Sequence, residues 1–222
     1  MAVTPDIESR EPQLRHERAA LLVVDMQHDF MPGGALAVPR ADELFPMLNH
    51  YIAEFENGRA LVCFSRDWHP PDHCSFRTAG GRWPVHCVAG TAGAELVHQV
   101  RVPKDAIIVS KGTERAREAY SAFEGTGLAH LLRQRGIAEL WIAGVATEYC
   151  VRATVLDALQ AGFDVTVLVD AVRAVEGSPG DGARALEEML AAGAKAHSWA
   201  RPRRSARRAA VILPASTDER PG

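Results

Sequence analysis

The sequence predicts an α/β protein with a three-layer α/β/α architecture, built on one mainly parallel, doubly wound sheet of roughly six strands. Short apolar runs, typical of strands buried on both faces, alternate along the chain with segments whose apolar residues recur at helical spacing. The first run, residues 19–24, contains only Ala, Leu and Val and ends at Asp25. Polar residues that can do chemistry follow several of these runs, and the chain has no internal repeat.

Each predicted element has a local signal. Asp42 is the expected cap of the first helix, and Gly58 is its expected stop. The predicted strands are 19–24, 60–64, 106–109, 139–143, 165–170 and 195–199. The predicted helices are 42–57, 127–135, 151–161 and 181–192. The chain divides into a polar amino-terminal arm, one globular domain and an arginine-rich tail, at 1–18, 19–200 and 201–222.

Composition excludes several classes of protein. A hydrophobic content of 47%, a charged content of 24% and a net charge of −3 are ordinary for a globular protein and argue against nucleic acid or an anionic membrane as a partner. No apolar run resembles a signal peptide or a membrane span, so we expect a cytoplasmic protein. Four cysteines in 222 residues are typical of reduced thiols, and the spacing of Cys74 and Cys87 fits no standard zinc finger. The arginine tail favours a solvated or oligomer-contacting segment over a polyanion site, which leaves a homo-oligomer open.

Cys150 is the residue on which the chemical argument centres. It follows the strand predicted at 139–143 and lies at the start of the next helix, where free backbone N–H groups and the helix dipole favour a thiolate. Thr147 is the expected N-cap, and Glu148 is expected to oppose the dipole by raising the pKa of the thiol. Taken alone, the position fits a small buried residue between helix and sheet better than a nucleophile, so other residues must decide.

Further reactive side chains follow other predicted strands. Asp25 ends the first run and Lys111 follows the third. Because ligands bind beyond the carboxyl ends of strands in open α/β sheets, we expect both near Cys150. A lysine there holds a neighbouring carboxylate and thiol in their anionic forms. Alone, Asp25 is also typical of a turn and Lys111 of a solvated charge.

A second group has the composition of a catalytic metal site. Asp67 and His69 share one face of an extended segment, and His86 adds a third N/O ligand from a long irregular loop. Three such ligands leave coordination positions open for water or substrate. His73 is a weaker fourth candidate. The alternative is a set of surface histidines in a loop.

These motifs together resemble the nicotinamidase/pyrazinamidase branch of the isochorismatase-like cysteine hydrolases. They occur in the order found in that family and cover about residues 19–200. The matching stretches are 24–30, 66–70, 83–87, 111–112, 120–125 and 144–151. The resemblance implies an isochorismatase-like hydrolase domain over 19–200. It also implies a metal-dependent cysteine amidohydrolase that converts nicotinamide to nicotinate and ammonia in NAD salvage and also hydrolyses pyrazinamide.

The resemblance also implies a role for each site residue. The implied catalytic residues are the nucleophile Cys150, the general acid/base Asp25 and the third triad member Lys111. The implied metal ligands are Asp67, His69 and His86. The aromatic residues implied to contact the substrate ring are Phe30 and Trp83, with Tyr120 and Tyr149 nearby.

Two further expectations come from the family. A cis peptide between Val145 and Ala146 is implied, with the N–H groups of Ala146 and Cys150 forming an oxyanion hole. One divalent metal ion is implied, zinc being favoured over iron and manganese. Some members have an additional histidine or acid ligand where this chain has Ser75, which reaches a metal only weakly or through water.

Alternatives to this function stay open. A related carbamoyl-amide hydrolase and an isochorismatase-type hydrolase belong to the same superfamily, although the thiol and the metal set argue against the second. A non-catalytic module that binds a small molecule is a remote alternative, and the absence of a C-x-x-C motif argues against a thiol redox protein. The expected partner is a small carboxamide substrate, with no nucleic acid and no membrane.

Overall fold

A computed structural model describes residues 16–199 of the chain and confirms the predicted α/β class. Within those residues one parallel sheet has the order β3-β2-β1-β4-β5-β6. Its strands are β1 (Ala19–Val24), β2 (Leu61–Asp67), β3 (Ile107–Lys111), β4 (Glu139–Val145), β5 (Asp164–Arg173) and β6 (Lys195–His197). The predicted tail at 201–222, and the predicted arm except for a 3₁₀ turn at His16–Arg18, lie outside the described residues.

Helices cover both faces of this sheet. The described α-helices are α1 (Phe45–Asn57), α2 (Leu128–Gln134), α3 (Arg152–Gln160) and α4 (Asp181–Ala191). Alternate residues of β1 point to opposite faces, so Leu21 packs in one core with α1, and Leu22 packs in a second core with α2, α3 and α4. Every residue of β1 is fully buried, as its unbroken apolar run predicts.

Several predicted boundaries are wrong, each for a local reason. The cap at Asp42 does not form, because Asp42 lies inside a 3₁₀ turn (Ala41–Leu44) that precedes α1. β2 continues three residues beyond the apolar run, since its polar end pairs in register with β3 and matches Asp67 with Lys111. β5 is also longer than predicted and passes a register shift against β4. β6 is shorter than predicted and ends at His197.

The order in which strands are added to the sheet reverses at β1. From β1 the chain adds β2 and β3 on one side, then returns to place β4, β5 and β6 on the other. A crevice forms at such a reversal, beyond the carboxyl ends of the two central strands. The irregular segment between β2 and β3 is tied to the chain after β1 by a bridge between Gln27 and Leu96. No helix among residues 16–199 is both long and apolar enough to cross a membrane.

Candidate active site

Three reactive side chains meet at this reversal of the sheet. Asp25 directly follows β1, Lys111 is the last residue of β3, and Cys150 lies in the turn after β4. Asp25 and Lys111 are buried, and Cys150 is 7% exposed. The structure therefore brings together the three side chains that the sequence predicts to meet.

Lys111 is at the centre of this group. Its Nζ lies 2.9 Å from Oδ2 of Asp25 and 2.5 Å from Oδ1 of Asp67, and it donates to Sγ of Cys150 at 3.4 Å. Ser65 Oγ donates to the other carboxylate oxygen of Asp25 at 2.7 Å. Asp25 has a φ of 51°, in the left-handed region that aspartate tolerates better than most residues. The ammonium group of Lys111 thus contacts two carboxylates and a thiol.

Burial is the largest influence on protonation here. It raises the pKa of Asp25 above its usual value against the opposing charge of Lys111, and it raises the pKa of the Cys150 thiol well above its usual value. Burial alone would lower the pKa of Lys111, but the two carboxylates outweigh it and raise that pKa well above normal. Burial therefore outweighs the Lys111 charge at the thiol, and the position at the start of a helix does not bring the pKa down to its usual value. A carboxylate oxygen of Asp25 lies within 4.8 Å of the Cys150 sulfur, so a carboxylate that could accept its proton is adjacent.

The predicted metal ligands form a second, adjoining cluster. One ligand atom each from Asp67, His69 and His86 lies within 4.8 Å of the others. Nδ1 of His69 donates to the carbonyl of Gly112 at 2.9 Å, and Nδ1 of His86 donates to that of Pro84 at 2.7 Å. In a neutral imidazole that donates through Nδ1, Nε2 is the nitrogen with the lone pair, and the two Nε2 atoms face Oδ2 of Asp67 at 3.6 and 4.0 Å. Two imidazoles and a carboxylate oriented in this way fit one divalent metal ion.

Gly112 makes room for one of these ligands. Its φ is +61°, and a Cβ there would lie 2.4 Å from the imidazole of His69. A side chain at this position would therefore displace the ring and break the hydrogen bond that orients it.

His73 and Ser75 bind each other beside this cluster. Nε2 of His73 donates to the carbonyl of Arg117 at 2.9 Å, so Nδ1 accepts the hydroxyl proton of Ser75 at 2.7 Å. The imidazole of His73 stacks on that of His69 with centroids 4.2 Å apart. Both ring nitrogens of His73 are thus used within the protein, whereas Ser75 lines the cavity described next.

A cavity opens onto both clusters, with Cys150, Asp67, His69 and His86 in its lining. Its apolar wall consists of Phe30, Leu36, Val38, Trp83, Tyr149 and Val175. Nε1 of Trp83 donates to the hydroxyl of Tyr120 at 2.9 Å, and Arg82 donates to the hydroxyl of Tyr149 at 3.0 Å. The guanidinium of Arg82 also lies 4.7 Å from the centre of the Trp83 ring. All four predicted aromatic residues therefore line one largely apolar cavity, whose aromatic walls suit a flat ring.

The turn that carries Cys150 differs from the predicted helix start. Thr147–Val151, here the Cys150 turn, is π-helical and leads into α3. Its N-cap is Ala146, so the predicted cap at Thr147 is wrong. The peptide bond between Val145 and Ala146 is cis, as the family resemblance implies. Ala146 and Cys150 both line the cavity.

Glu148 of this turn does not have the predicted role. Its carboxylate accepts hydrogen bonds from the backbone N–H groups of Val175 and Glu176. After burial, the carboxylates that raise the pKa of the thiol are those of Asp25 and Asp67.

Two polar side chains that sequence reasoning missed support the site. Gln27 is fully buried, donates to the carbonyls of Asp67 and Ala94 at 2.7 and 2.8 Å, and accepts from the N–H of Asp67 at 2.8 Å. Asp29 accepts from the N–H of Cys87 at 2.7 Å, next to the metal-ligand candidate His86. Their only sequence signal is a run of polar residues after a buried strand, which does not indicate which partner each one binds.

Comparisons with known proteins show which proteins this chain resembles. The model of the isochorismatase domain family matches residues 19–201. The chain is similar to the nicotinamidase of Escherichia coli, with 40% identity over 202 residues that cover 82% of this chain and 95% of that protein.

Solved structures show the same similarity in three dimensions. A pyrazinamidase of Pyrococcus horikoshii in complex with zinc superposes with a TM-score of 0.79 and 55% identity, over 82% of this chain and 99% of the other. The yeast nicotinamidase bound to the inhibitor nicotinaldehyde superposes with a TM-score of 0.76 and 32% identity, over 81% and 99% of the two chains.

Proposed function

The chain belongs to the isochorismatase family and groups within it with the nicotinamidases, and from this premise we propose that it hydrolyses nicotinamide to nicotinate and ammonia through a thioester at Cys150. One observation carries the proposal. A single ammonium, that of Lys111, contacts a base and a thiol at the edge of a cavity walled by Phe30 and Trp83. Pyrazinamide has a ring of the same shape and is a second substrate.

The first half of the reaction releases ammonia. Asp25 removes the proton from Sγ of Cys150, and the thiolate attacks the carboxamide carbon, which forms a C–S bond and an oxyanion. The N–H groups of Ala146 and Cys150 stabilise that oxyanion, each donor contributing about 3 kcal/mol. Asp25 then gives its proton to the amide nitrogen, the C–N bond breaks and ammonia leaves.

The second half restores the enzyme. Asp25 takes a proton from a water molecule whose oxygen attacks the thioester carbon, the C–S bond breaks and nicotinate leaves. The proton on Asp25 then returns to the sulfur of Cys150. Lys111 keeps its own proton throughout, because its pKa is raised well above the usual value, and it stabilises the thiolate and the carboxylate that it contacts.

Asp67, His69 and His86 would hold one divalent metal ion. Two imidazole nitrogens and one carboxylate oxygen are typical zinc ligands, and the similar Pyrococcus protein contains zinc, so zinc is our assignment over iron or manganese. When bound, the metal supplies a Lewis-acidic centre for the ring nitrogen, reached directly or through a water. Trp83 and Phe30 orient the same ring by packing on it.

The setting of the enzyme follows from its chemistry. Conversion of nicotinamide to nicotinate belongs to NAD salvage. Free thiols at Cys63, Cys74, Cys87 and Cys150 fit a cytoplasmic enzyme. Light scattering on the purified protein tests whether it forms a homo-oligomer.

The test is ammonia release from nicotinamide by metal-defined protein. Cys150→Ala should release no ammonia and keep its circular dichroism spectrum, whereas the matched control Cys74→Ala should keep full activity. Acid quenching during turnover should trap an acyl adduct on Cys150 that mass spectrometry detects. Full activity of Cys150→Ala would refute covalent catalysis. Faster release of ammonia from a carbamoyl amide than from nicotinamide would favour the related hydrolase instead.

A further inference from the structure

We propose that Glu148 is a positioning residue that fixes the nucleophile and one wall of the substrate cavity relative to each other. The inference rests on the proposed function, because the residue it positions is the nucleophile of that reaction. Glu148 is two residues before Cys150 in the Cys150 turn. Its role comes from the hydrogen bonds that it accepts, and not from its charge.

The carboxylate of Glu148 reaches across to the loop between β5 and α4, here the β5–α4 loop (residues 174–180). Oε1 accepts from the backbone N–H groups of Val175 and Glu176, each at 2.9 Å, and Oε2 accepts from that of Val175 at 3.2 Å. Val175 lines the cavity, as does Cys150. One side chain therefore sets the distance between the thiol and the wall against which the substrate packs.

The β5–α4 loop is anchored at its far end as well. The carboxylate of Glu176 accepts from the N–H groups of Gly180 and Gly182, at 2.6 and 3.1 Å. A Cβ at Gly182 would lie 2.6 Å from the Cβ of Ala174 and 2.9 Å from Oε1 of Glu176, so the close approach of loop and helix requires glycine. Glu148 thus connects the Cys150 turn to a loop that α4 already holds.

Removing the Glu148 carboxylate should shift the β5–α4 loop relative to the Cys150 turn but have little effect on the stability of the fold. Glu176 is exposed and Val175 is half-buried, so water replaces the carboxylate on their N–H groups at small cost. The Cys150 turn and Val175 then lose their direct link, although the pairing of Val145 with Arg173 between β4 and β5 still relates them. Because a displacement of the order of 1 Å costs about a hundredfold in rate, a smaller shift should still lower kcat measurably, while a looser wall raises KM.

Three substitutions separate acceptor geometry from charge. Glu148→Gln removes the charge but keeps a side-chain oxygen that can accept the hydrogen bonds from the N–H groups of Val175 and Glu176. Its kcat/KM should therefore stay within about threefold of the wild-type value. Glu148→Ala should lower kcat/KM by about tenfold or more, with kcat reduced and KM raised, and change Tm by only about 2–4 °C. Glu148→Asp is one methylene shorter and should behave like Glu148→Ala. Glu187→Ala, on the exposed face of α4, is the matched control and should match the wild type.

Amide hydrogen exchange tests the inference without substrate. The amides of Val175 and Glu176 should lose protection in Glu148→Ala and keep it in Glu148→Gln. If the wild-type protein does not hydrolyse nicotinamide, the proposed function fails, but this exchange result still decides whether Glu148 holds the loop. Unchanged exchange in Glu148→Ala, or a loss in Glu148→Gln as large as in Glu148→Ala, overturns the inference.

Discussion

Replacement of Lys111 by methionine should destabilise the fold in a pH-dependent way. At an effective dielectric constant of about 20, unit charges 2.9 Å apart attract by about 6 kcal/mol, and those 2.5 Å apart by about 7 kcal/mol. The cost of burying the three charges offsets most of this attraction. Removing one partner from a buried ion pair lowers the free energy of unfolding by about 3–5 kcal/mol, and we expect Lys111→Met to lower it by this amount at about pH 8.

Lys111→Met should lose less stability at acidic pH than at alkaline pH. Without Lys111, two carboxylates lie within 4.8 Å of each other in a buried site, which raises the pKa of Asp25 further above its already raised value. A carboxyl group whose pKa is higher in the folded chain than in the unfolded chain favours folding at low pH, and it loses that contribution as pH rises through the folded pKa. The deficit at about pH 5 should therefore be smaller than at about pH 8 by about 1 kcal/mol or more.

Urea unfolding, followed by tryptophan fluorescence in the presence of a chelator, measures this difference. Lys195→Met in β6 is the control, because Lys195 is exposed. It should change the free energy of unfolding by no more than about 0.5 kcal/mol at either pH. A Lys111→Met protein as stable as the wild type, or one whose deficit is equal at both pH values, would contradict the view that Lys111 balances two buried carboxylates.

The other predictions concern turnover and metal content. Asp25→Asn keeps a side-chain oxygen that accepts the hydrogen bond of Ser65 but cannot take a proton. In the ammonia assay kcat should therefore fall by about 10²–10⁴-fold. A variant that keeps a tenth of the wild-type rate would exclude Asp25 as the base. His86→Ala should lose most of the bound metal in elemental analysis, whereas His98→Ala, at an exposed position, should keep it; equal metal content would place the metal elsewhere. Trp83→Ala should raise KM for nicotinamide by about tenfold, whereas Trp83→Phe keeps an aromatic face and should raise KM by about threefold or less. Equal KM values for these two variants would exclude packing of the substrate ring on Trp83.

The sequence predicted those features that depend on one residue and its immediate neighbours. An unbroken apolar run from Ala19 to Val24 is enough to predict a strand buried on both faces, and the reactive residues at strand ends follow from the parallel sheet. The roles of Cys150, Asp25 and Lys111 needed more, since each residue taken alone fits a structural position better than a catalytic one. Their order along the chain, together with the metal motif, made the family resemblance specific.

Contacts between distant segments could not be predicted. Gln27 binds the backbone of Asp67 and Glu148 binds that of Val175, and nothing in the local sequence indicates either partner. The large effect of burial on the pKa of Cys150 was not predicted for the same reason, because burial arises from several segments together whereas the helix dipole is a local property. The polar end of β2 was missed because pairing with β3, and not hydrophobicity, extends that strand.

Asp67 explains why the triad and the metal cluster occur as one unit. Burial alone would raise its pKa, but Lys111 and His69 outweigh burial and hold that pKa well below its usual range. Its two oxygens are divided, with Oδ1 on Lys111 and Oδ2 facing the imidazoles of His69 and His86. A metal ion bound by those imidazoles would share this carboxylate with Lys111. We therefore expect a change at Asp67 to disturb the Lys111 group and the His69–His86 cluster together, whereas a change at His86 leaves the contacts of Lys111 with Asp25, Asp67 and Cys150 in place.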